Sequence, residues 1–281
     1  MMQVIHSVDE MHRTSEKLRS EGRTIGLVPT MGSLHQGHLS LVDLVKDRVD
    51  TIILSIFINP TQFAPGEDLE KYPRDLDRDL NLCKDRKVDI VFVPESKNIY
   101  LEGHSTSVIE ERFSTGFCGL SRPSHFQGVT TVCAKLFNIC CPNIVVLGQK
   151  DAQQVLVLKQ MIKDLNFPIE VIIGDIFRED DGLAMSSRNA NLTKEQRKDA
   201  LFLFQSLQEG KNLVENGIFE IERIEDKMRD LINKGELINL EYLKIVNRET
   251  FEPDKIAVPN QSLILLAARV GDVRLIDNQV L

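Results

Sequence analysis

The 281-residue sequence contains no tryptophan, and no two of its 5 cysteines form a Cys-x-x-Cys pair. An odd number of cysteines without that spacing is typical of reduced thiols, which favours a cytoplasmic location over a disulfide framework. No apolar run is long enough to cross a bilayer and the first residues do not resemble a signal peptide, so we expect no membrane association. The sequence also lacks an excess of positive charge, because 42 acidic residues outnumber 34 Lys and Arg, and the formal net charge of -8 disfavours a general nucleic-acid binder.

Short apolar runs that alternate with amphipathic segments are plentiful. Runs with the length and β-branched composition of buried strands lie at 25–28, 51–58, 90–93, 144–147 and 169–173. Strands that alternate with helices predict an α/β fold, with a parallel sheet covered by helices on both faces. After Gly174, two polar helices and then three strands predict a smaller C-terminal α+β domain, so we expect domains at 1–174 and 175–281. We also expect an edge strand at 107–109.

The stretch from Pro29 to His38 lies where the strand at 25–28 turns into a helix. Backbone N–H groups at a helix start attract anions, and glycines such as those at 32 and 37 let a ligand approach the main chain. His35 and His38 lie on one side of the helical turn, where each can donate a hydrogen bond to a phosphate oxygen. We therefore hypothesise that this stretch binds the phosphates of a nucleotide.

Two other interpretations of the histidine pair are open at this point. The pair could bind zinc, although no Glu, Asp or Cys lies at a metalloprotease-type spacing to supply a third ligand. The histidines could instead only cap or pack the turn, which for a short motif taken alone is an equally good interpretation.

Polar residues follow other predicted strands as well. Asn59 and Gln62 come after the second run and Lys150 and Asp151 after the fourth, and open α/β sheets bind ligands in the crevice at such strand ends. Asn-Pro also favours a turn whatever its function. Residues 186–188 add two hydroxyls and an arginine, and lysine and arginine stabilise charge on phosphorus oxygens. These clusters together support a triphosphate ligand.

Five motifs resemble those of the pantothenate synthetase (pantoate–β-alanine ligase) family, in the family's order and spacing. They are V-P-T-M-G-S-L-H-Q-G-H (28–38), S-I-F-I-N-P-T-Q-F (55–63), G-Q-K-D-A-Q-Q (148–154), D-G-L-A-M-S-S-R-N (181–189) and R-L-I-D-N (274–278). The H-x-G-H element alone would indicate only the nucleotidyltransferase superfamily, whereas the whole set is specific. The resemblance implies a Rossmann-like N-terminal domain, a small C-terminal lid and a cytoplasmic homodimer.

The resemblance also implies a reaction, the ATP- and Mg2+-dependent joining of (R)-pantoate to β-alanine. The pantoate carboxylate would attack the α-phosphorus of ATP to give pantoyl adenylate and pyrophosphate, and the β-alanine amine would then release AMP. Such displacement at phosphorus depends mostly on positioning and charge stabilisation. The alternatives are a nucleotidyltransferase that moves AMP to another acceptor and a non-catalytic ATP-binding protein.

Site residues follow from the matched motifs. The catalytic residues implied by the resemblance are His38, the proton donor, with His35, Lys150 and Arg188. The residues implied to bind ATP are Met31, Gly32, Ser33, Leu34, His35, Gln36, Gly37, His38, Gly148, Gln149, Lys150, Asp151, Phe177 (through its backbone), Met185, Ser186, Ser187 and Arg188. The residues implied to bind pantoate or β-alanine are Gln62, Gln154, Asn59 and His125. Asp79 is the implied Mg2+ ligand, with Asp77 as the alternative.

The chain departs from the family pattern at a few positions. Gln36 stands where the family usually has an acid, and Arg78 stands where an acid is often found. Ser124 replaces a glycine, so we expect a changed turn there, and Gln127 replaces an arginine and loses its charge.

Overall fold

The computed structural model describes residues 2–281 and divides the chain into two compact units. The first unit comprises the described residues through Gln149 together with Gln153–Asp175, and the second comprises Lys150–Ala152 and Ile176–Leu281. The main division therefore falls one residue after the position expected from composition. Within the described residues, no helix combines the length and the apolar character needed to cross a membrane.

The first unit is built on a six-stranded sheet with every paired neighbour parallel. Its strands are β1 (Gln3–Ile5), β2 (Ile25–Thr30), β3 (Thr51–Ile56), β4 (Ile90–Phe92), β5 (Ile144–Gly148) and β6 (Glu170–Gly174). Its helices are α1 (Val8–Ser20), α2 (Gln36–Val45), α3 (Leu76–Asp85), α4 (Ser96–Ile99), α5 (Cys118–Ser121), α6 (His125–Cys140) and α7 (Ala152–Asp164). The strand order is β1-β4-β3-β2-β5-β6, which confirms the predicted parallel α/β sheet.

Helices cover both faces of this sheet because successive strand residues point to opposite sides. In β3, Ile53 enters a core shared with α1, α6 and α7. Its neighbours Ile52 and Leu54 enter a second core shared with α2 and α3. The sequence forms two apolar layers from a single run of β-branched residues, as the predicted architecture requires.

The second unit is a small α+β fold. It contains α8 (Lys194–Glu215), α9 (Ile221–Ile232), β7 (Ile238–Asn247), β8 (Ser262–Val270) and β9 (Val273–Val280). The strands form an antiparallel sheet in the order β7-β8-β9, and its core unites side chains of both helices with side chains of all three strands. Thr193 and Gln196 form a capping box that starts α8.

The predicted edge strand at 107–109 is wrong. The N–H of Val108 donates to Thr131 Oγ1 at 3.0 Å, and its carbonyl accepts from Thr130 Oγ1 at 2.6 Å. Hydroxyls of α6 therefore satisfy the backbone groups that a neighbouring strand would have used.

Helix α6 begins four residues earlier than the Val129 start expected from sequence. Its N-cap is Ser124, whose φ of -95° is accessible to any residue. The replacement of glycine at this position thus brings no backbone strain. Gln127, the other substitution in this stretch, donates to Ser107 Oγ at 2.9 Å.

Candidate functional site: two anchored loops and a substrate turn

The loop between β2 and α2, residues 31–35, ends in the two motif histidines. His35 is the N-cap of α2 and His38 is its third residue, and their rings stack with centroids 4.0 Å apart. The backbone N–H of His35 donates to His38 Nδ1 at 3.4 Å. Because Nδ1 is the acceptor, the neutral ring carries its proton on Nε2. The histidines thus cap the helix start, with the ring of His38 closing the first turn of α2.

The backbone of this loop is tightly constrained. Gly32 has φ +80° and Ser33 has φ +50°, both in the left-handed region. A Cβ atom on Gly32 would lie 2.9 Å from Ile56 Cγ2 and 3.1 Å from Asp79 Oδ2. Glycine is therefore required by both the backbone angle and the space, since the loop lies directly against α3.

Helix α3 holds the loop through its first turns. Asp79, with 1% of its surface exposed, accepts the N–H of Ser33 on Oδ2 at 2.7 Å and that of Leu34 on Oδ1 at 2.8 Å. Arg78 Nη1 donates to the carbonyl of Leu34 at 3.0 Å. Burial raises the pKa of Asp79 above its ordinary value, although the two backbone bonds oppose the rise.

Gln36 is held by the same helix. Arg86 Nη2 donates to Gln36 Oε1 at 3.0 Å, and Arg86 Nη1 donates to Asp43 Oδ2 at 2.5 Å. The family usually has an acid at position 36, which could pair with Arg86. In this chain the amide oxygen of Gln36 accepts the hydrogen bond from Arg86 instead.

A magnesium ion finds no ready set of protein ligands. Within residues 2–281, no group of three or more His, Cys, Asp or Glu side chains is placed to hold a metal. Asp79, the expected ligand, already has both oxygens on backbone N–H groups. The described residues therefore do not fit a magnesium site built from protein groups alone, and a role for Asp79 as a single ligand stays a prediction.

The turn after β3 positions Gln62 through a neutral network. Asn59 Nδ2 donates to Gln62 Oε1 at 3.1 Å and to the carbonyl of Gly128 at 3.0 Å, while the hydroxyl of Tyr100 donates to Asn59 Oδ1 at 2.8 Å. Because the oxygen of Gln62 accepts from Asn59, its amide nitrogen faces the other way, 2.9 Å from the sulfur of Met31. The structure thus brings an expected pantoate-binding residue against an expected ATP-binding residue.

The main chain of this turn is fixed by the first residue of α6 and by Arg122 just before that helix. His125 Nδ1 lies 2.9 Å from the carbonyl oxygen of Gln62, and Arg122 Nη2 donates to the same oxygen at 3.2 Å. Both carboxylate oxygens of Glu67 accept from Arg122, at 2.6 and 2.7 Å. No local sequence signal indicated Arg122, Glu67 or Tyr100 as supports of this turn.

Helix α6 also meets the turn backbone to backbone. A Cβ atom on Gly128 would lie 2.5 Å from the carbonyl oxygen of Thr61 and 2.6 Å from the nitrogen of Gln62. No side chain fits between the helix and the turn.

The two adjacent glutamines of the third motif have different environments. Gln154, the predicted ligand, is half-buried on α7. Gln153 is buried, donates to the carbonyls of Phe113 and Gly116 at 2.8 Å each, and accepts from the N–H of Cys118 at 3.0 Å. Sequence reasoning missed Gln153, which organises the loop before α6.

In the second unit, the R-L-I-D-N motif holds the main chain of Lys150. Asn278 Nδ2 donates to the Lys150 carbonyl at 3.0 Å, and the neighbouring Asp277 accepts two bonds from Arg178 at 2.7 and 3.0 Å. The ammonium of Lys150 lies 3.8 Å from Asp151 Oδ1. Gly148 ends β5 in the first unit, and Gln149 starts the short 3-10 turn Gln149–Asp151.

The remaining predicted ATP-binding residues lie on the anchored segment, residues 177–189 of the second unit. The carbonyl of Phe177 accepts the N–H of Met185 at 2.9 Å, and Ser186 Oγ accepts the N–H of Arg188 at 3.3 Å, which starts the 3-10 turn Ser187–Asn191. Asn189 Nδ2 donates to Glu179 Oε1 at 2.6 Å. Residues 185–188 are therefore presented by a hydrogen-bonded loop.

A parallel sheet with helices on both faces, whose strand β2 leads through H-x-G-H into α2, defines an α/β protein. The sequence model of the pantoate-beta-alanine ligase family matches residues 3–280, and the chain belongs to this family. It is thus an enzyme of the ligase class, as its motifs indicated.

Similar proteins extend over the whole chain. The pantothenate synthetase of Thermotoga petrophila is 47% identical over 280 residues, covering 100% of both chains, and that of Caldicellulosiruptor saccharolyticus is 48% identical over 279 residues, covering 99% of each. The crystal structure of pantothenate synthetase from Thermus thermophilus has a TM-score of 0.94 at 38% identity, covering 99% of each chain. Pantoate-beta-alanine ligase from Francisella tularensis, complexed with beta-gamma ATP and β-alanine, has a TM-score of 0.83 at 33% identity, covering 100% of this chain and 98% of that one.

Proposed function

We propose that this chain condenses (R)-pantoate with β-alanine through a pantoyl-adenylate intermediate, and that it uses ATP and releases AMP and pyrophosphate. Family membership over residues 3–280 supports the reaction class. The observation that carries the proposal is the contact between the Gln62 amide nitrogen and the Met31 sulfur, 2.9 Å apart. In this contact, Gln62, which we expect to donate a hydrogen bond to pantoate, lies beside the loop that we expect to bind ATP, and both belong to the first unit.

In the first step, a pantoate carboxylate oxygen attacks the α-phosphorus of ATP. A new phosphorus–oxygen bond forms while the bond to the β-phosphate breaks, and pyrophosphate leaves with the electron pair. Gln62 would hold pantoate with its oriented amide N–H, assisted by Asn59, Gln154 and His125. His38 would donate from Nε2 to the phosphate oxygens that gain charge, with His35, Lys150 and Arg188 stabilising the same charge.

In the second step, the β-alanine amine attacks the acyl carbon of the adenylate. A carbon–nitrogen bond forms, the amine loses a proton, and the acyl carbon–oxygen bond breaks to release AMP. Adenylation makes this possible because AMP is a far better leaving group than the free carboxylate oxygen. The residues at 31–38, 148–151, Phe177 and 185–188 would hold the nucleotide through both steps.

We further propose a cytoplasmic homodimer that takes ATP with Mg2+. The ion would enter on the triphosphate, because Mg2+ keeps several waters and needs only one or two carboxylates besides phosphate oxygens. When bound, it would neutralise phosphate charge. The reduced-thiol pattern of the cysteines supports the location, and the family resemblance supports the dimer.

A direct test supplies ATP, Mg2+ and pantoate labelled with 18O in its carboxylate, with and without β-alanine. We expect AMP that depends on β-alanine and carries one 18O atom, because the attacked carboxylate oxygen stays on phosphorus. Pyrophosphate release without an amide product would instead indicate the nucleotidyltransferase alternative. ATP binding without turnover would indicate a non-catalytic binder.

The role of Gln62 gives a second test. We expect Gln62→Ala to raise KM for pantoate by about tenfold or more, because a buried, oriented hydrogen-bond donor is lost. Gln127→Ala is the matched control, since the side chain of Gln127 is exposed and donates to the hydroxyl of Ser107, away from the turn. A rise in KM for ATP alone would contradict the assignment.

A further inference from the structure

We propose that the first turns of α3 are a positioning element, in which Asp79 and Arg78 hold the histidine-bearing loop in its binding conformation. Asp79 acts through the loop backbone and is a positioning residue rather than a metal ligand. The catalytic importance of the loop rests on the proposed function, whereas the anchoring itself can be measured without substrate.

Three bonds join one side of α3 to two consecutive residues of the loop. The Asp79 carboxylate accepts the N–H groups of Ser33 and Leu34 at 2.7 and 2.8 Å, one on each oxygen. Arg78 donates to the Leu34 carbonyl at 3.0 Å. These groups are separated by more than 40 positions in the chain, so the contacts fix the tertiary placement of the loop.

The loop needs such an anchor because its conformation is unfavourable in isolation. Ser33 has φ +50°, which for a residue other than glycine persists only when surrounding contacts enforce it. The next residues, Leu34 and then the N-cap His35, lead directly into the first turn of α2. A shift at Ser33 would therefore move His35 and His38 together.

Asp79 is better suited to anchoring than to metal binding. It is 1% exposed, and each of its oxygens already accepts a backbone N–H. Arg78 beside it carries a positive charge, with Nη1 4.0 Å from Asp79 Oδ1, which disfavours a divalent cation at the same place.

The test is hydrogen exchange by mass spectrometry on the unliganded full chain, combined with steady-state kinetics. In Asp79→Asn, the amide N–H₂ must oppose one of the two backbone N–H groups. We expect the peptide covering 29–39 to exchange about tenfold faster, since a hydrogen bond to a charged acceptor is lost. We expect kcat to fall by about 10- to 100-fold, the usual effect of removing a group that orients a catalytic side chain.

Asp85→Asn is the matched control, because Asp85 is an exposed carboxylate at the other end of the same helix. It should leave loop exchange and kcat unchanged. Peptides from β5 should exchange alike in all variants.

Each alternative has its own signature. If Asp79→Asn leaves loop exchange unchanged but raises the Mg2+ concentration needed for half-maximal rate, Asp79 is a metal ligand and the proposal fails. Faster exchange throughout the first unit would indicate general destabilisation and would also overturn it. Failure of the ligase assay in the wild type would refute the proposed function while leaving the exchange result valid.

If Asp79→Asn does not fold, Arg78→Ala decides the question. Arg78 is largely exposed, so its replacement removes the bond to Leu34 and little packing. Faster exchange confined to the 29–39 peptide would support the anchor, and unchanged exchange there would overturn it.

Discussion

Two of the segments predicted to bind ATP are held by different physical means. In the first unit, the loop at 31–35 is fixed by a buried carboxylate that bonds directly to its backbone. In the second, the anchored segment is tied by one buried pair, Arg178 with Asp277, and by pairs that stay partly in water. In the exposed pairs, Arg197 bonds Glu179 at 2.8 Å and Asp181 at 2.6 Å, with 27–35% of these side chains exposed. Burial makes the first anchor strong and insensitive to salt, and exposure makes the pairs of Arg197 weaker and adjustable.

The difference concerns burial rather than charge alone. Arg122 and Glu67, which support the Gln62 turn in the first unit, are also an ion pair, but only 13% and 20% of their side chains are exposed. The second unit has a buried pair too, since Asp277 is 4% exposed where it meets Arg178. Four substitutions test this comparison, one in the first loop itself and three in the ion pairs of the two units.

The largest effect tests whether the first loop is catalytic. We expect His38→Ala to lower kcat by about two to four orders of magnitude, because a proton donor or charge-stabilising group is lost. The measurement is steady-state AMP formation, with the melting temperature checked for folding. His12→Ala, at an exposed position of α1, should change neither. A drop in kcat smaller than about tenfold would mean that His38 only caps α2.

The second-largest effect is expected at the buried pair of the second unit, Asp277 with Arg178. Asp277→Asn should lower the free energy of unfolding by about 3–5 kcal/mol, because Arg178 loses the carboxylate that compensates its burial. Urea unfolding measures the change, and Asp272→Asn in the exposed β8–β9 turn is the control. A loss below about 1 kcal/mol would place this pair among ordinary surface pairs.

Glu67→Gln should show an intermediate and pH-dependent effect. Burial alone would raise the pKa of Glu67, but its hydrogen bonds and the charge of Arg122 hold the pKa below the ordinary 4.5. The stabilisation is therefore fully present above pH 4.5 and is lost as the pH falls through the lowered folded-state pKa.

We expect Glu67→Gln to cost about 1–3 kcal/mol at neutral pH and the difference from wild type to shrink in acid. Unfolding curves from neutral to acidic pH measure this difference, with exposed Glu70→Gln as control. A difference that grows in acid would contradict the assigned pair.

The smallest effect should come from the exposed pairs of the anchored segment. Arg197→Gln should destabilise by about 1 kcal/mol or less at low salt, and the difference should vanish near 1 M salt, where the screening length is about 3 Å. Unfolding curves at both salt concentrations test this. In Asp79→Asn, the faster hydrogen exchange of the 29–39 peptide should persist at both salt concentrations. If salt changed the effects of Asp79→Asn and Arg197→Gln equally, the two anchors would not differ as we infer.

Much of the fold could be predicted because it is encoded locally. The apolar run at 51–56 has the composition of a strand buried on both faces, and Thr193 with Gln196 is a recognisable helix start. The segment at 107–109 has similar strand-like composition, but hydroxyls on α6 take its backbone bonds, and these partners lie more than 20 residues away.

The candidate site residues named from sequence stay predictions, and the contacts around them divide into two kinds. Motif residues such as Gln62 and Met31 could be named because they belong to recognisable patterns. The anchoring role of Asp79 could not, since it depends on backbone groups 45 and 46 positions earlier in the chain. Tyr100 orients Asn59 across 41 positions, and no periodicity or motif encodes that contact.

Gly128 shows how a missing methyl group can set the spacing between two elements. Its α carbon lies against the peptide of Thr61 and Gln62, so the scaffold fixes the distance between α6 and the turn that carries Gln62. A randomised library at this codon, selected for growth of a host that depends on this ligase for its pantothenate, should return glycine alone. Under the proposed function, altering which acid is accepted will require changes at the side chains around the turn rather than at its support.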